Sequence, residues 1–270
     1  MKKIIIYISI MVSNCASLGA QSRELTATAN LSKGGDSIHY DFITATVPQS
    51  SSFSEQLWDF SNSKYLGQEK EVFFVGNDSN HIKMIDKDAI LDFSQDKEHL
   101  LLKRLQTPLL NIDFGNSFEY LKFPFPLNDS LTCQIEGKGI YCSKNKLVLS
   151  GTCCTKTMAK GKLIMPYNDS LNNTLLIQRN IVANIDVSND SLMSVRQDEP
   201  MKFNAAIFEW YAMEYRYPIL KVIEAAIKKG ERKVLDQFFA YLFMSVEEIG
   251  VLHASFFFTL HPSPFGSECR

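Results

Sequence analysis

The sequence predicts an all-β protein: an antiparallel β-sandwich, as one unit or as two β-rich subdomains, ending in a C-terminal segment of undecided type. Three observations carry this. Turn-forming residues recur roughly every ten positions over most of the chain, the spacing of short antiparallel strands. The segments between them alternate polar with apolar residues, or are rich in Val, Ile, Phe and Tyr. At 270 residues and 45% hydrophobic content the chain can bury a sizeable core.

The N-terminus opens with Lys2 and Lys3, an apolar run from Ile4 to Val12, and small residues around Leu18, Gly19 and Ala20. This is the layout of a secretory signal peptide over residues 1–20, cleaved after Ala20. A competing lipoprotein reading takes Cys15 as the acylated residue. Residues 21–35 are small and polar and read as a leader. Residues 36–250 form the β-rich domain, with a candidate internal boundary near 105–125. Residues 251–270 form an atypical tail. No later apolar run is long enough to predict a transmembrane helix. The formal net charge of -2 and pI near 6.2 argue against a nucleic-acid partner.

Strands are expected at Ser37–Val47, Glu71–Val75, His81–Ile85, Ala89–Phe93 and His99–Arg104. Phe123-Pro124-Phe125-Pro126 reads as an edge or crossover, because proline cannot donate to a ladder. A hairpin is expected to turn at Gly137-Lys138-Gly139, with Cys133 and Cys142 flanking it as a candidate cross-strand disulfide. Adjacent Cys153 and Cys154 must face opposite sides of a strand, so they do not pair with each other. Strands follow at Lys146–Ser150, Gly161–Met165, Leu175–Arg179, Ile181–Val187 and Phe203–Tyr215. After Pro218, the positions Ile219, Val222, Ile223, Ala226 and Ile227 fit a helix period, and Val234–Met244 fits either type.

Four blocks resemble a group of secreted proteins common in Bacteroidetes. They are Leu57 to Ser61; Phe123 to Ser130 with Gly137 to Tyr141; Gly151-Thr152 with Gly161 to Pro166 and Leu175 to Arg179; and Trp210-Tyr211 with Tyr215 to Leu220. The resemblance spans residues 36 to about 250. It implies a β-rich, exported protein with no assigned activity, a group that often carries a sorting domain for type IX secretion. The tail from Val251 to Arg270 does not look like that domain. Cys153 and Cys154 stand where the group has β-branched or small residues. Exported proteins of such bacteria carry O-glycans at Asp-Ser or Asp-Thr followed by a small or aliphatic residue. On that pattern Ser37, Ser130, Ser170 and Ser191 are candidate glycosylation sites, and turn chemistry explains the same Asp-Ser pairs without a glycan.

Function reads as an exported interaction, adhesion or scaffold module at the cell surface or in the periplasm, with an unknown protein or glycan as partner. The alternative is a carbohydrate-binding module stacking sugars on Trp210, Tyr211 and Tyr215. A hydrolase ranks below both: none of the five histidines forms a zinc-type pair, and no nucleophile elbow or phosphate loop appears. No catalytic residue, cofactor or metal ligand is assigned.

Overall fold

The computed structural model describes residues 24–48, 56–76, 78–166, 169–188, 201–212 and 215–244. The signal-peptide segment, Cys15, Ser191 and the tail lie outside them. Of the structure, 72% is strand and 3% helix.

A short N-terminal segment comes first, with β1 (Glu24–Leu25) and the single turn α1 (Ala27–Asn30). The first half of the wall is β2 (Ser37–Ile43), β4 (Tyr65–Val75), β5 (His81–Ile85), β6 (Ile90–Gln95), β7 (His99–Gln106) and β8 (Leu110–Lys122). The second half is β10 (Ser130–Tyr141), β11 (Asn145–Ile164), β12 (Ser170–Ser188), β13 (Met201–Tyr211), β14 (Leu220–Lys229) and β15 (Arg232–Met244). Two short strands stand outside the wall: β3 (Gln56–Asp59) and β9 (Phe125–Pro126).

The sheet order is β10-β8-β7-β6-β5-β4-β2-β15-β14-β13-β12-β11, and β10 pairs again with β11. The wall is therefore a closed barrel of twelve antiparallel strands, not the open sandwich predicted from the sequence. The error has a physical source. Polar/apolar alternation states that one face of each strand is buried; it does not state whether the sheet stacks on another or closes on itself. Closure removes both edges. Within the stretch 105–125, β8 is laddered to β7 on one side and β10 on the other.

The turn signals misled at two places. β10 runs straight through Gly137 to Gly139, and the chain turns later, at Cys142 and Ser143, which both adopt positive φ. Cys133 and Cys142 thus sit nine positions apart along one extended strand, about 30 Å at the usual rise per residue. They cannot pair, and Cys133 is a free thiol. Four of the five helix-period positions after Pro218, from Val222 to Ile227, lie in a strand, β14, hydrogen-bonded on both sides. Tertiary pairing overrides a short periodic pattern.

Ladder partners share a face, so the registers sort the side chains. Ile177, Glu209, Lys221, Tyr241 and Phe42 form one continuous row across β12, β13, β14, β15 and β2. This row faces the lumen, because its members reach strands that are not their ladder neighbours: Arg179, on the same face of β12, lies over the ring of Tyr120 on β8. The lumen is packed with apolar side chains, among them Ile82, Phe93, Leu102, Ile112, Ile135 and Ile177. The outer face of β10 to β12 carries Gln134, Glu136, Lys138, Lys146, Lys156, Asn184 and Asp186. A lipid-spanning barrel has the reverse pattern, and an outward Lys at the bilayer midplane costs about 2–4 kcal/mol. The same face also carries exposed Ile140, Val148 and Val182, interspersed among these polar residues.

A second core lies outside the lumen. Leu175, Leu176 and Ile177 are consecutive and all buried, so β12 is covered on both faces here. The outward row Leu176, Trp210, Leu220 and Leu242 is covered by Trp58 and Phe60. Trp58 meets Trp210 edge-on at 6.2 Å, and Phe60 meets it at 5.5 Å. β3 docks parallel to β11 at Gly161 to Ile164. Gly161 is required there, since a Cβ would sit 1.8 Å from the Gln56 carbonyl oxygen. The first, third and fourth blocks of the sequence resemblance meet in this outer core, so packing accounts for their residue types.

Candidate binding site at the capped barrel mouth

The aromatic cluster does not form a binding platform. Trp210 is fully buried in the outer core and Tyr211 is buried on the lumen side, because consecutive strand residues face opposite ways. Tyr215 is half-buried and packs edge-on against Phe243 at 5.8 Å. The three share no exposed face, which removes the support for sugar stacking there. Ser37, Ser130 and Ser170 are exposed and each opens a strand, β2, β10 and β12.

A cluster of strongly perturbed ionisable groups lines the lumen. Arg179 Nη1 donates to Glu209 Oε2 at 3.0 Å, and Lys221 Nζ lies 2.8 Å from Glu209 Oε1. Arg179 Nη2 donates to the Tyr120 carbonyl at 3.2 Å, and its guanidinium stacks 3.6 Å above that ring. Burial penalises the Glu209 carboxylate, yet the Lys221 ammonium and the Arg179 guanidinium outweigh burial and hold it down to about 2. Burial likewise raises Tyr120 and Tyr211 above the usual tyrosine range. Perturbed groups often mark active sites, but the charges of these are consumed by one another. Sequence reasoning missed this network: nothing in an isolated Arg, Glu or Lys on an alternating strand tells that its partners face it across a closed lumen.

The barrel mouth is different. The segment from Glu24 to Asp36 crosses one end of the barrel. β1 pairs with β9, and Leu25 joins the lumen core beside Phe125. Asn30 Nδ2 donates to the Arg216 carbonyl at 3.3 Å, and Arg216 Nη1 returns a bond to the Leu31 carbonyl at 2.6 Å. The Tyr217 hydroxyl accepts from the Lys33 amide and donates to Asp36 Oδ2. These bonds tie the segment to the β8–β10 connection on one side and the β13–β14 connection on the other.

Between this strap and the rim lies a cleft of about 530 Å³, lined by residues that include Leu31, Lys33, Ile82, Asp78, Gln95 and Arg216. Gln95 is the notable member, at only 7% exposure. Its Nε2 donates to the carbonyls of Ser32 and Ser79 at 2.8 and 2.9 Å. Two carbonyl acceptors fix which end of the amide is nitrogen. Gln95 Oε1 is then a buried acceptor with no partner among the described residues. Such an orphan costs about 1–3 kcal/mol when left unmatched.

The charges around it are unequal. Arg216 is occupied by Leu31 and Asp36. Asp78 is held by His81 and by backbone amides, led by that of Asn80, which keep its carboxyl low. Lys33 is exposed, with no ion-pair partner among the described residues. The cleft thus offers one uncommitted cation, one buried acceptor, and apolar walls from Ala27, Leu31 and Ile82. It holds one carboxylate and no histidine, so it does not supply the converging pair that acid–base chemistry needs.

Elsewhere on the surface, His39 Nε2 lies 3.7 Å from both Asp41 and Glu69, and His99 Nδ1 lies 2.7 Å from Glu119. The Glu119 hydrogen bond raises the His99 pKa. No helix of the described residues is long and apolar enough to cross a membrane. Comparison of the chain with protein-family models, with curated proteins and with solved structures found no match in any of the three.

Proposed function

We propose that this chain is an exported, non-catalytic binding module: a rigid water-facing barrel that binds a small anionic ligand with an N–H donor at its capped mouth. The end of a peptide chain has this chemistry. Its carboxylate fits Lys33, a backbone N–H fits Gln95 Oε1, and an apolar side chain fits the Leu31 and Ile82 wall. The observation that carries the reading is the buried, unmatched carbonyl of Gln95, a residue lining a cleft whose rim has one uncommitted cation. Few convergent polar groups on an apolar lining are the usual make-up of a ligand pocket. Export rests on the N-terminal sequence pattern and on the exposed Asp-Ser strand openings. The glycan-bearing serines belong to the same reading.

Titration calorimetry with N-acetylated dipeptides tests it. A free C-terminal carboxylate is expected to give saturable binding, and its C-terminal amide to bind at least about tenfold more weakly, the loss of one charge-assisted contact. Equal binding of both forms, or of neither across a set of side chains, overturns the proposal.

A further inference from the structure

The function proposed above leaves two lumen-side thiols unused. Cys133 on β10 stands directly opposite Cys153 on β11. Both are free. They share the inner face with Leu131, Ile135 and Thr155, and the neighbouring rungs, Thr132 with Cys154 and Gln134 with Thr152, fix the register. Directly opposed residues of an antiparallel pair have Cα atoms about 4.5 or 5.5 Å apart, and both values fall inside the range a disulfide spans.

The pair is also unequal. Cys153 is only 1% exposed, while Cys133 is half-buried and so reachable. The contact with Cys153, aided by the Glu119 carbonyl at 3.6 Å, holds the Cys133 thiol below the ordinary range. The same contact, with burial, pushes Cys153 up. Arg179 adds positive charge beside both. A thiolate attacks a disulfide; a thiol does not. Cys154 faces the other side of the wall, 3.5 Å from the Thr132 hydroxyl, and cannot reach either sulfur.

We propose that Cys133 and Cys153 are a redox-modification site, a cross-strand dithiol that a small disulfide such as oxidised glutathione converts to a disulfide bridging β10 and β11. Cys133 Sγ attacks one glutathione sulfur, the glutathione S–S bond breaks, and one glutathione leaves as thiolate. Cys153 Sγ then attacks the Cys133 sulfur of the mixed disulfide, loses its proton to the departed thiolate, and releases the second glutathione. Two protein thiols are oxidised to one disulfide, and one small disulfide is reduced to two thiols.

The test uses the full chain, reduced and then equilibrated with oxidised glutathione. The protein is denatured, alkylated with iodoacetamide and mapped by peptide mass. The expected result is one cross-linked peptide pair holding Cys133 and Cys153, lighter by two hydrogens, with Cys154 alkylated and both partners alkylated again after dithiothreitol. The oxidised form should also melt several degrees higher, because closing a loop restricts the unfolded chain. Cys133→Ser should leave Cys153 alkylatable and abolish the shift in melting, and Cys154→Ser should leave the cross-link intact. The proposal is overturned if both thiols stay alkylatable, if Cys133 stops at the glutathione adduct, or if Cys154→Ser removes the cross-link.

Discussion

The lumen and the mouth of this barrel both bury polar side chains, and they treat them in opposite ways. In the lumen, Arg179, Glu209 and Lys221 pair their charges with one another, and of the three only Arg179 leaves a buried side-chain atom, Nε, without a partner. At the mouth, Gln95 commits its amide nitrogen to two carbonyls and leaves its oxygen unmatched. A network whose charges are paired fixes a structure. An incomplete one, opening on a cleft, holds a place for a donor from outside. The degree of perturbation therefore misleads if taken alone: the lumen has the larger pKa displacements, and the mouth has the unmatched acceptor beside a cleft.

Breaking the lumen network should give the largest effect. Glu209→Ala leaves two cations in the interior without their anion and is expected to cost about 3–5 kcal/mol in a denaturant titration. Trp210→Ala, in the outer core, should cost a similar about 3–5 kcal/mol, chiefly through the cavity it opens. If Trp210 were instead a ligand-stacking residue on the surface, its removal would barely change stability.

Acid should discriminate next. Glu209 is held below the ordinary glutamate value of 4.5, to about 2. A depressed carboxyl contributes stability that is fully present above pH 4.5 and is lost as pH falls from there through about 2. Stability measured against pH should fall in that window, and Glu209→Gln should remove this share of the slope. An unchanged slope would show that Glu209 is not the buried anion described.

At the mouth the effects on stability should be small and those on binding large. Gln95→Met loses two hydrogen bonds but also removes the orphan oxygen, so the free protein should change by about 1 kcal/mol or less. Peptide binding should be lost. Lys33→Ala should leave the melting temperature in place and weaken binding of the carboxylate form to the level of the amide, roughly tenfold. A Lys33→Ala variant that binds both forms unchanged would place the anion elsewhere.

How much of this was legible in the sequence varies by element. β5, predicted at His81–Ile85, has those bounds, since alternation between clear turn residues marks a short strand. β10 was read as two strands because Gly137 and Gly139 look like a turn; their actual role is close packing, with Ile112 and Asn111 where a side chain would go. Closure was not legible, because it depends on β2 pairing with β15, the first and last strands of the wall, across nearly the whole described chain. Gln95 was not legible either. Its polarity at the end of an apolar-rich strand was visible, but its unmatched oxygen depends on Ser32 and Ser79, 63 and 16 residues away.

The most direct test of the central claim is a heteronuclear NMR titration of the labelled chain with an N-acetylated dipeptide bearing a free carboxylate. The account predicts that the Gln95 side-chain amide and the Lys33 backbone amide shift together and saturably, while the Trp210 indole N–H in the outer core stays in place. A titration that moves the Trp210 indole and leaves the Gln95 amide unmoved would contradict it.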